Sequence, residues 1–172
     1  MGPSNIDAEL EVDTQRVTTC DEMFNATQNS LPCDVLVMCA AVADFKFKKY
    51  QKKIKRKAQE LRIDIDENID LLKYFSNLNQ NRPKLVIGFA AETEDLLKNG
   101  KAKLLDKRCD WIIANDVSNK NLGFNSDSNK ATIIYKNMEI ENLSKQSKSS
   151  IASNIVNRIL RQFDLNGKRD IN

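Results

Sequence analysis

The sequence predicts a doubly wound α/β sheet, mainly parallel, with an antiparallel hairpin at one edge. Three observations predict it. Apolar runs bounded by charged residues at 35–45, 85–91 and 110–117 suit strands covered on both faces. Stretches with apolar residues at helical spacing alternate with these runs, as crossover helices would. Two β-prone runs at 131–135 and 139–143 look like a hairpin joined at Lys136-Asn137, a usual way to finish the edge of such a sheet.

Taken in order, residues 15–18 are short and β-prone. Thr19 followed by Glu22 matches a capping box that opens a helix through about Asn29, and Pro32 closes the unit. The run 35–45 follows, VLVMCAAVADF. Its small residues Ala40, Ala41 and Ala43 clear space at the carboxyl end, where open α/β sheets bind ligands, and Asp44 supplies a carboxylate there. The same pattern also suits a central strand whose alanines merely let a helix pack closely. Segment 46–57 has neither period and reads as a flexible basic loop. Leu61, Ile63 and Ile65 alternate with Arg62, Asp64 and Asp66, as on a half-buried strand. Asp66 or Asn68 would then cap a helix carrying Ile69, Leu72, Phe75 and Leu78.

In the second half, the strand 85–91 leads into a helix beginning at Glu92 and Thr93 and reaching about Lys107. The strand 110–117 precedes a polar loop at 118–129, rich in turn residues. After the hairpin, 150–163 forms an amphipathic helix with Ile151, Ile155, Ile159 and Leu160 on one face, stopped near Gly167.

At 172 residues, 41% hydrophobic and 30% charged, the chain has the size and composition of one globular domain. No run approaches the roughly 20 apolar residues that span a bilayer, and the polar, acidic start offers no secretory signal. Cys20, Cys33, Cys39 and Cys109 form no CxxC pair and read as buried, reduced thiols of a cytoplasmic protein. The chain contains no histidine, which excludes within it a Ser-His-Asp triad, a Cys-His pair and a histidine-ligated zinc. Chemistry here must run on carboxylates, lysines, backbone amides and bound ions.

Eight of the 27 basic residues fall within 46–57, leaving 19 against 24 acidic residues elsewhere. Charge concentrated in one segment, not spread over a face, points to a local anion site or a solvated loop, and away from a general nucleic-acid binder. Lys103 and Lys107 stand four apart on one helical face. Alone, such a like-charge pair is mildly destabilising, whereas a polyphosphate gripped between the two ammonium groups would reverse the sign.

AAVADF at 40–45, KIKR at 53–56, GFAAET at 88–93, the paired lysines, ANDVS at 114–118 and GFNSDSN at 123–129 together resemble phosphopantothenoylcysteine synthetase, that is phosphopantothenate–cysteine ligase. In bacteria this is usually the carboxyl-terminal half of a bifunctional coenzyme A biosynthesis flavoprotein. Order and spacing match over about residues 15 to 165. The resemblance implies a Rossmann-like fold and a CTP-dependent ligase. The carboxylate of 4′-phosphopantothenate attacks the α-phosphate of CTP, giving an acyl-cytidylate and pyrophosphate, and the amine of cysteine then displaces CMP. It implies that Asp44 contacts the nucleotide and its Mg²⁺, that Lys53 acts on the acyl-cytidylate, and that Asn68 lies in the cytosine-recognising loop. Phe89 would stand beside the nucleotide, and Lys103 and Lys107 would hold the triphosphate. Arg56 replaces the family's usual lysine, keeping charge but changing donor geometry.

The family's opening strand with its glycine-rich turn, and its SSGxMG segment on the phosphopantothenate side, are not found here. The expectation is therefore a single truncated domain over 1–172, lacking the first βαβ portion and the asparagine the family uses in ligation. It would work as a homodimer or with a complementing chain carrying the missing segment, and would have little activity alone. Two other classes stay open: a non-catalytic nucleotide-binding remnant or subunit, and a nucleic-acid or acidic-partner binder acting through 46–57.

Overall fold

The computed structural model describes residue 2 and residues 12–48, 64–117 and 128–167. Helices cover both faces of a five-stranded sheet of order β1-β4-β5-β6-β7. β1 (Val35–Met38), β4 (Leu85–Glu92) and β5 (Trp111–Asp116) run parallel, and β6 (Ser128–Tyr135) and β7 (Ile140–Ser147) continue antiparallel. This is the predicted doubly wound α/β arrangement with its antiparallel edge. β2 (Phe45–Phe47) and β3 (Ile65–Glu67) form a separate antiparallel ribbon.

Alternate residues of the central strands feed two cores. Leu85, Ile87, Trp111, Ile113 and Ile133 pack toward Ile151 and Ile155 of α4 (Lys148–Gly167). Val86, Ala90, Ile112, Ala114 and Ile134 pack toward Leu104 of α3 (Leu96–Lys107), with Leu72 of α2 (Leu71–Ser76) alongside. Burial on both faces is what continuous apolar strands between helix layers require. Closeness is enforced at Gly100, where an added Cβ would lie 2.5 Å from Ile134 Cδ1. On the same face, α1 (Cys20–Asn29) stacks Phe24 against Tyr74 and Phe75 of α2, with ring centroids 4.9 and 5.6 Å apart.

The α1 capping box forms as expected: the Glu22 N–H donates to Thr19 Oγ1 at 3.2 Å, and Glu22 Oε2 accepts from the Thr19 N–H at 3.1 Å. Elsewhere the boundaries differ. Residues 15–18 are coil, although Val17 is buried. The strand expected over 35–45 ends at Met38, because β1 is the edge strand among the described residues and pairs only with β4, as far as Gly88. Beyond it Asn68 redirects the chain, its N–H donating to the Asp44 carbonyl and its Nδ2 to the Ala43 carbonyl, both at 2.8 Å. The start of the basic segment is strand, not loop: Lys46 stands opposite Asp66 in the ribbon. Residues 49–63, including Leu61 and Ile63, lie outside the described residues. β3 is exposed along its length, not half-buried.

The cap of α2 is Asp70, whose Oδ1 accepts from the Lys73 N–H at 2.9 Å, in place of Asp66 or Asn68. The helix is too short to include Ile69 or Leu78. Glu92 stays in β4, and α3 starts only after Asp95, which has φ 48°. The hairpin turn is longer than expected, with Met138 at φ 68°. α4 outruns 150–163 at both ends, and Leu160 is 56% exposed while Ile159 joins the core. Of the four thiols only Cys109 is buried, Cys20 and Cys33 are half-buried, and Cys39 is exposed. No helix among the described residues is long and apolar enough to cross a membrane.

Candidate functional site

The parallel strands β1, β4 and β5 all end on one side of the sheet, and two cavities open there. The larger, about 1030 Å³, lies between the start of α1, the Ala40–Ala43 segment and the ribbon, with Thr19, Cys20, Lys46 and Asn68 in its wall. The smaller, about 200 Å³, is walled by Cys39, Phe89, Asn115, Asn129 and Lys148. Ala40 and Ala41 line both, so the small side chains of this segment are what leave the edge open.

One ion pair closes the outer wall of the larger cavity. Lys46 Nζ lies 2.9 and 3.1 Å from the two Asp21 carboxylate oxygens, and this hydrogen bond holds the ammonium above the usual lysine range. It joins the ribbon to the first turn of α1, where an acidic residue also suits the helix dipole.

The described site residues predicted from sequence fall into three groups. Asn68 and Asp44 are brought together, Asn68 holding the Asp44 backbone while the Asp44 side chain stays exposed. Phe89 lines the smaller cavity and packs against the α4-side core. Lys103 and Lys107 line neither cavity. Helical side chains lean toward the helix amino terminus, which for α3 is the open edge of the sheet. In that direction Lys103 Nζ meets Glu92 Oε1 at 2.7 Å, and Lys107 Nζ meets Asp70 Oδ2 at 2.8 Å and Asp106 Oδ2 at 2.6 Å. The two lysines are therefore paired with carboxylates, and the expected bare like-charge pair is absent. Lys107, with Lys73, pulls Asp106 down to about 2, while Asp106 and Asp70 hold Lys107 above its usual range. Lys53 lies outside the described residues.

Among the described residues no three acidic or thiol groups converge on a metal position. Asp44 is a single exposed carboxylate. Asp44 lines neither cavity, and a lone carboxylate is compatible with Mg²⁺ only in that this ion commonly takes one or two carboxylates and completes its shell with substrate phosphates and water.

Asn115, Asn129 and Lys148 were not singled out from sequence, yet they share the smaller cavity with Phe89. Asn115 and Asn129 fall inside the ANDVS and GFNSDSN strings, so their motifs carried a signal. Lys148 had none. Asn129 stands at the β-bulge of β6, where Asn129 Oδ1 accepts from the Lys130 N–H at 2.8 Å. A bulge bends a strand and re-aims side chains at a sheet rim.

A family model described as DNA/pantothenate metabolism flavoprotein C-terminal domain matches residues 1–163. The coenzyme A biosynthesis bifunctional protein CoaBC of Haemophilus influenzae is 34% identical over 164 residues, which cover 94% of this chain and 40% of that protein. The protein of the same description from Vibrio parahaemolyticus is 32% identical over 162 residues, covering 92% and 40% respectively. The chain thus spans about 40% of the length of these curated relatives. Among solved structures, the C-terminal domain of coenzyme A biosynthesis bifunctional protein CoaBC aligns with a TM-score of 0.68 and 29% identity, covering 95% of this chain and 74% of that one.

Proposed function

This chain belongs to the DNA/pantothenate metabolism flavoprotein C-terminal domain family, and from that premise we propose that it is a phosphopantothenate–cysteine ligase of coenzyme A biosynthesis. In the proposed reaction CTP activates the carboxylate of 4′-phosphopantothenate as an acyl-cytidylate, with release of pyrophosphate. The cysteine amine then attacks the acyl carbon, forming the amide and expelling CMP.

The observation that carries this reading is the open carboxyl edge, where Ala40 and Ala41 divide two cavities and Asn68 and Phe89 stand on either side. Phosphoryl transfer asks the protein mainly to position groups and neutralise charge, which suits a chain without histidine. Phe89 offers an aromatic face beside the nucleotide, and Asn68 orders the segment carrying Asp44. Asp44 would hold Mg²⁺ together with the phosphates. Bound there, the ion would offset charge on the triphosphate and pyrophosphate.

Lys103 and Lys107 act on the triphosphate by changing partners. The Lys107–Asp70 pair is partly exposed and contributes only about 0–1 kcal/mol, so exchanging Asp70 for a multivalent phosphate costs little and gains charge-assisted hydrogen bonds. Glu92 is largely buried, so releasing Lys103 costs more and leaves the Glu92 carboxylate to Asn99, whose Nδ2 donates to it at 3.1 Å. Lys53 acts on the acyl-cytidylate, in accordance with the family resemblance. CTP as the nucleotide and homodimeric assembly belong to the same proposal.

Pyrophosphate release measured with CTP or ATP, in the presence and absence of 4′-phosphopantothenate, tests it. Release is expected only with both 4′-phosphopantothenate and CTP, and the Lys103→Ala/Lys107→Ala variant should lose on the order of 100-fold in kcat/KM. CTP should also raise the melting temperature more than ATP does when Mg²⁺ is present. Neither pyrophosphate release nor a melting shift with any nucleotide would overturn the proposal.

A further inference from the structure

The opposite, amino edge of the sheet holds a cavity of about 350 Å³, bounded by the ends of α2 and α3 and the β6–β7 turn. It is remote from the open carboxyl edge, and the ligase proposal gives it no task. Three cationic residues stand in its wall: Arg82, Arg108 and Lys136.

The described residues do not balance these charges. Asp110, 8% exposed, receives Arg82 Nη2 at 2.9 Å and Lys136 Nζ at 3.2 Å. One carboxylate therefore serves two cations. Its Oδ2 is further occupied by the Val86 N–H at 2.8 Å. Arg108 has no carboxylate among the described residues: its Nη1 reaches the neutral side-chain oxygen of Asn77 at 3.5 Å, the limit of a hydrogen bond. Three positive charges against one negative leave the rim two charges short of neutral.

A second observation points the same way. Ser76 lines this cavity and is 4% exposed, and its Oγ has no hydrogen-bond partner. Buried hydroxyls are nearly always satisfied, and an exception calls for an absent acceptor or donor. Leu105 and Met138 add apolar surface to the wall, with Leu104 buried behind them.

We propose that this cavity is a second anion site, which binds a small phosphate monoester. A dianion matches the two-charge deficit. Its oxygens would meet the Arg108 guanidinium and the Lys136 ammonium and would accept from the Ser76 hydroxyl, while the alkyl part lies on Leu105 and Met138. The site is independent of the ligase reading, because it shares no residue with the carboxyl edge.

The test is an amide ¹H–¹⁵N titration of the full chain with inorganic phosphate and with butyl phosphate. Saturable shifts are expected at Asn77, Arg108, Cys109 and Lys136, with butyl phosphate binding several-fold more tightly because of its alkyl tail. These shifts should persist in Lys103→Ala/Lys107→Ala, which separates the site from any nucleotide effect. Arg108 has φ 57°, a left-handed conformation that glycine adopts without strain, so Arg108→Gly should keep or raise the melting temperature while weakening binding on the order of 10-fold. Ser76→Ala should weaken binding several-fold, and Lys136→Met, at an exposed position, gives a second variant that leaves the core untouched. Shifts confined to carboxyl-edge amides, no shifts at all, or binding undiminished in both Arg108→Gly and Lys136→Met would overturn the proposal.

Discussion

Asn68 does its work with both its backbone and its side chain, and that is why one residue can organise the carboxyl edge. Its two hydrogen bonds to consecutive carbonyls hold residues 43–44 out of the sheet. Asn68→Ala would remove the side-chain bond, costing about 1 kcal/mol and loosening the Asp44 segment, with weaker nucleotide binding as the readout. The thiols report on the same edge. Cys39 is exposed in the wall of the Phe89 cavity, whereas Cys109 is buried and burial pushes its thiol up to about 11. A thiol reagent at pH 8 should therefore modify Cys39 quickly and Cys109 only as the protein unfolds. CTP should slow labelling of Cys39, measured by mass spectrometry. If CTP left the rate unchanged, nucleotide would not cover this wall.

At the scale of elements, local chemistry and packing can be separated by single substitutions. Thr19→Ala removes the reciprocal cap of α1 and should cost about 1 kcal/mol, seen in chemical denaturation. Gly100→Ala sets two effects against each other. Helix propensity favours alanine by about 1 kcal/mol, but the new Cβ would collide with Ile134, a fully buried side chain with nowhere to retreat. Overpacking of this kind costs about 1–3 kcal/mol, so net destabilisation is expected. A stabilised variant would mean that α3 can lift off the sheet. The same distinction explains what the sequence made legible. The capping box of α1 and the apolar runs of β4 and β5 are local signals, and they appear nearly where expected. The early end of β1 and the late start of α3 depend on partners far along the chain, and no local period encodes them.

Across the whole molecule, one ion pair links the last helix to the sheet edge. Arg158 of α4 donates to Glu141 of β7, with Nε to Oε2 at 2.8 Å, and the Tyr135 hydroxyl donates to the same oxygen at 2.7 Å. Arg158 first, and Tyr135 after it, hold the Glu141 carboxyl down at about 2 against an ordinary value of 4.5. A depressed carboxyl stabilises the fold above its unfolded value and loses that contribution as the group is protonated. Stability should thus be flat near neutrality and fall as pH drops from about 4.5 toward 2. Glu141 is partly in water, so screening reduces the contribution to about 1 kcal/mol. Glu141→Gln should remove that part of the acid dependence in denaturation curves collected between pH 2 and 6. An unchanged pH profile would rule out the pair as its source.

The sequence by itself determined the class of fold, the cap of α1 and the two-faced central strands, because periodicity, capping and apolar runs are local properties. The family resemblance of its motifs drew Asp44, Asn68 and Phe89 into one expected site. Only the tertiary structure decided that β1 is short and lies at the sheet edge, that β2 and β3 leave the sheet as a ribbon, and that Lys103 and Lys107 are neutralised by Glu92, Asp70 and Asp106. It alone assembled Ser76, Arg82, Arg108 and Lys136 around one cavity. Such groupings depend on how loops and helix ends from separate elements come to rest against one another, and long-range packing, unlike periodicity, leaves no repeat in the chain to read.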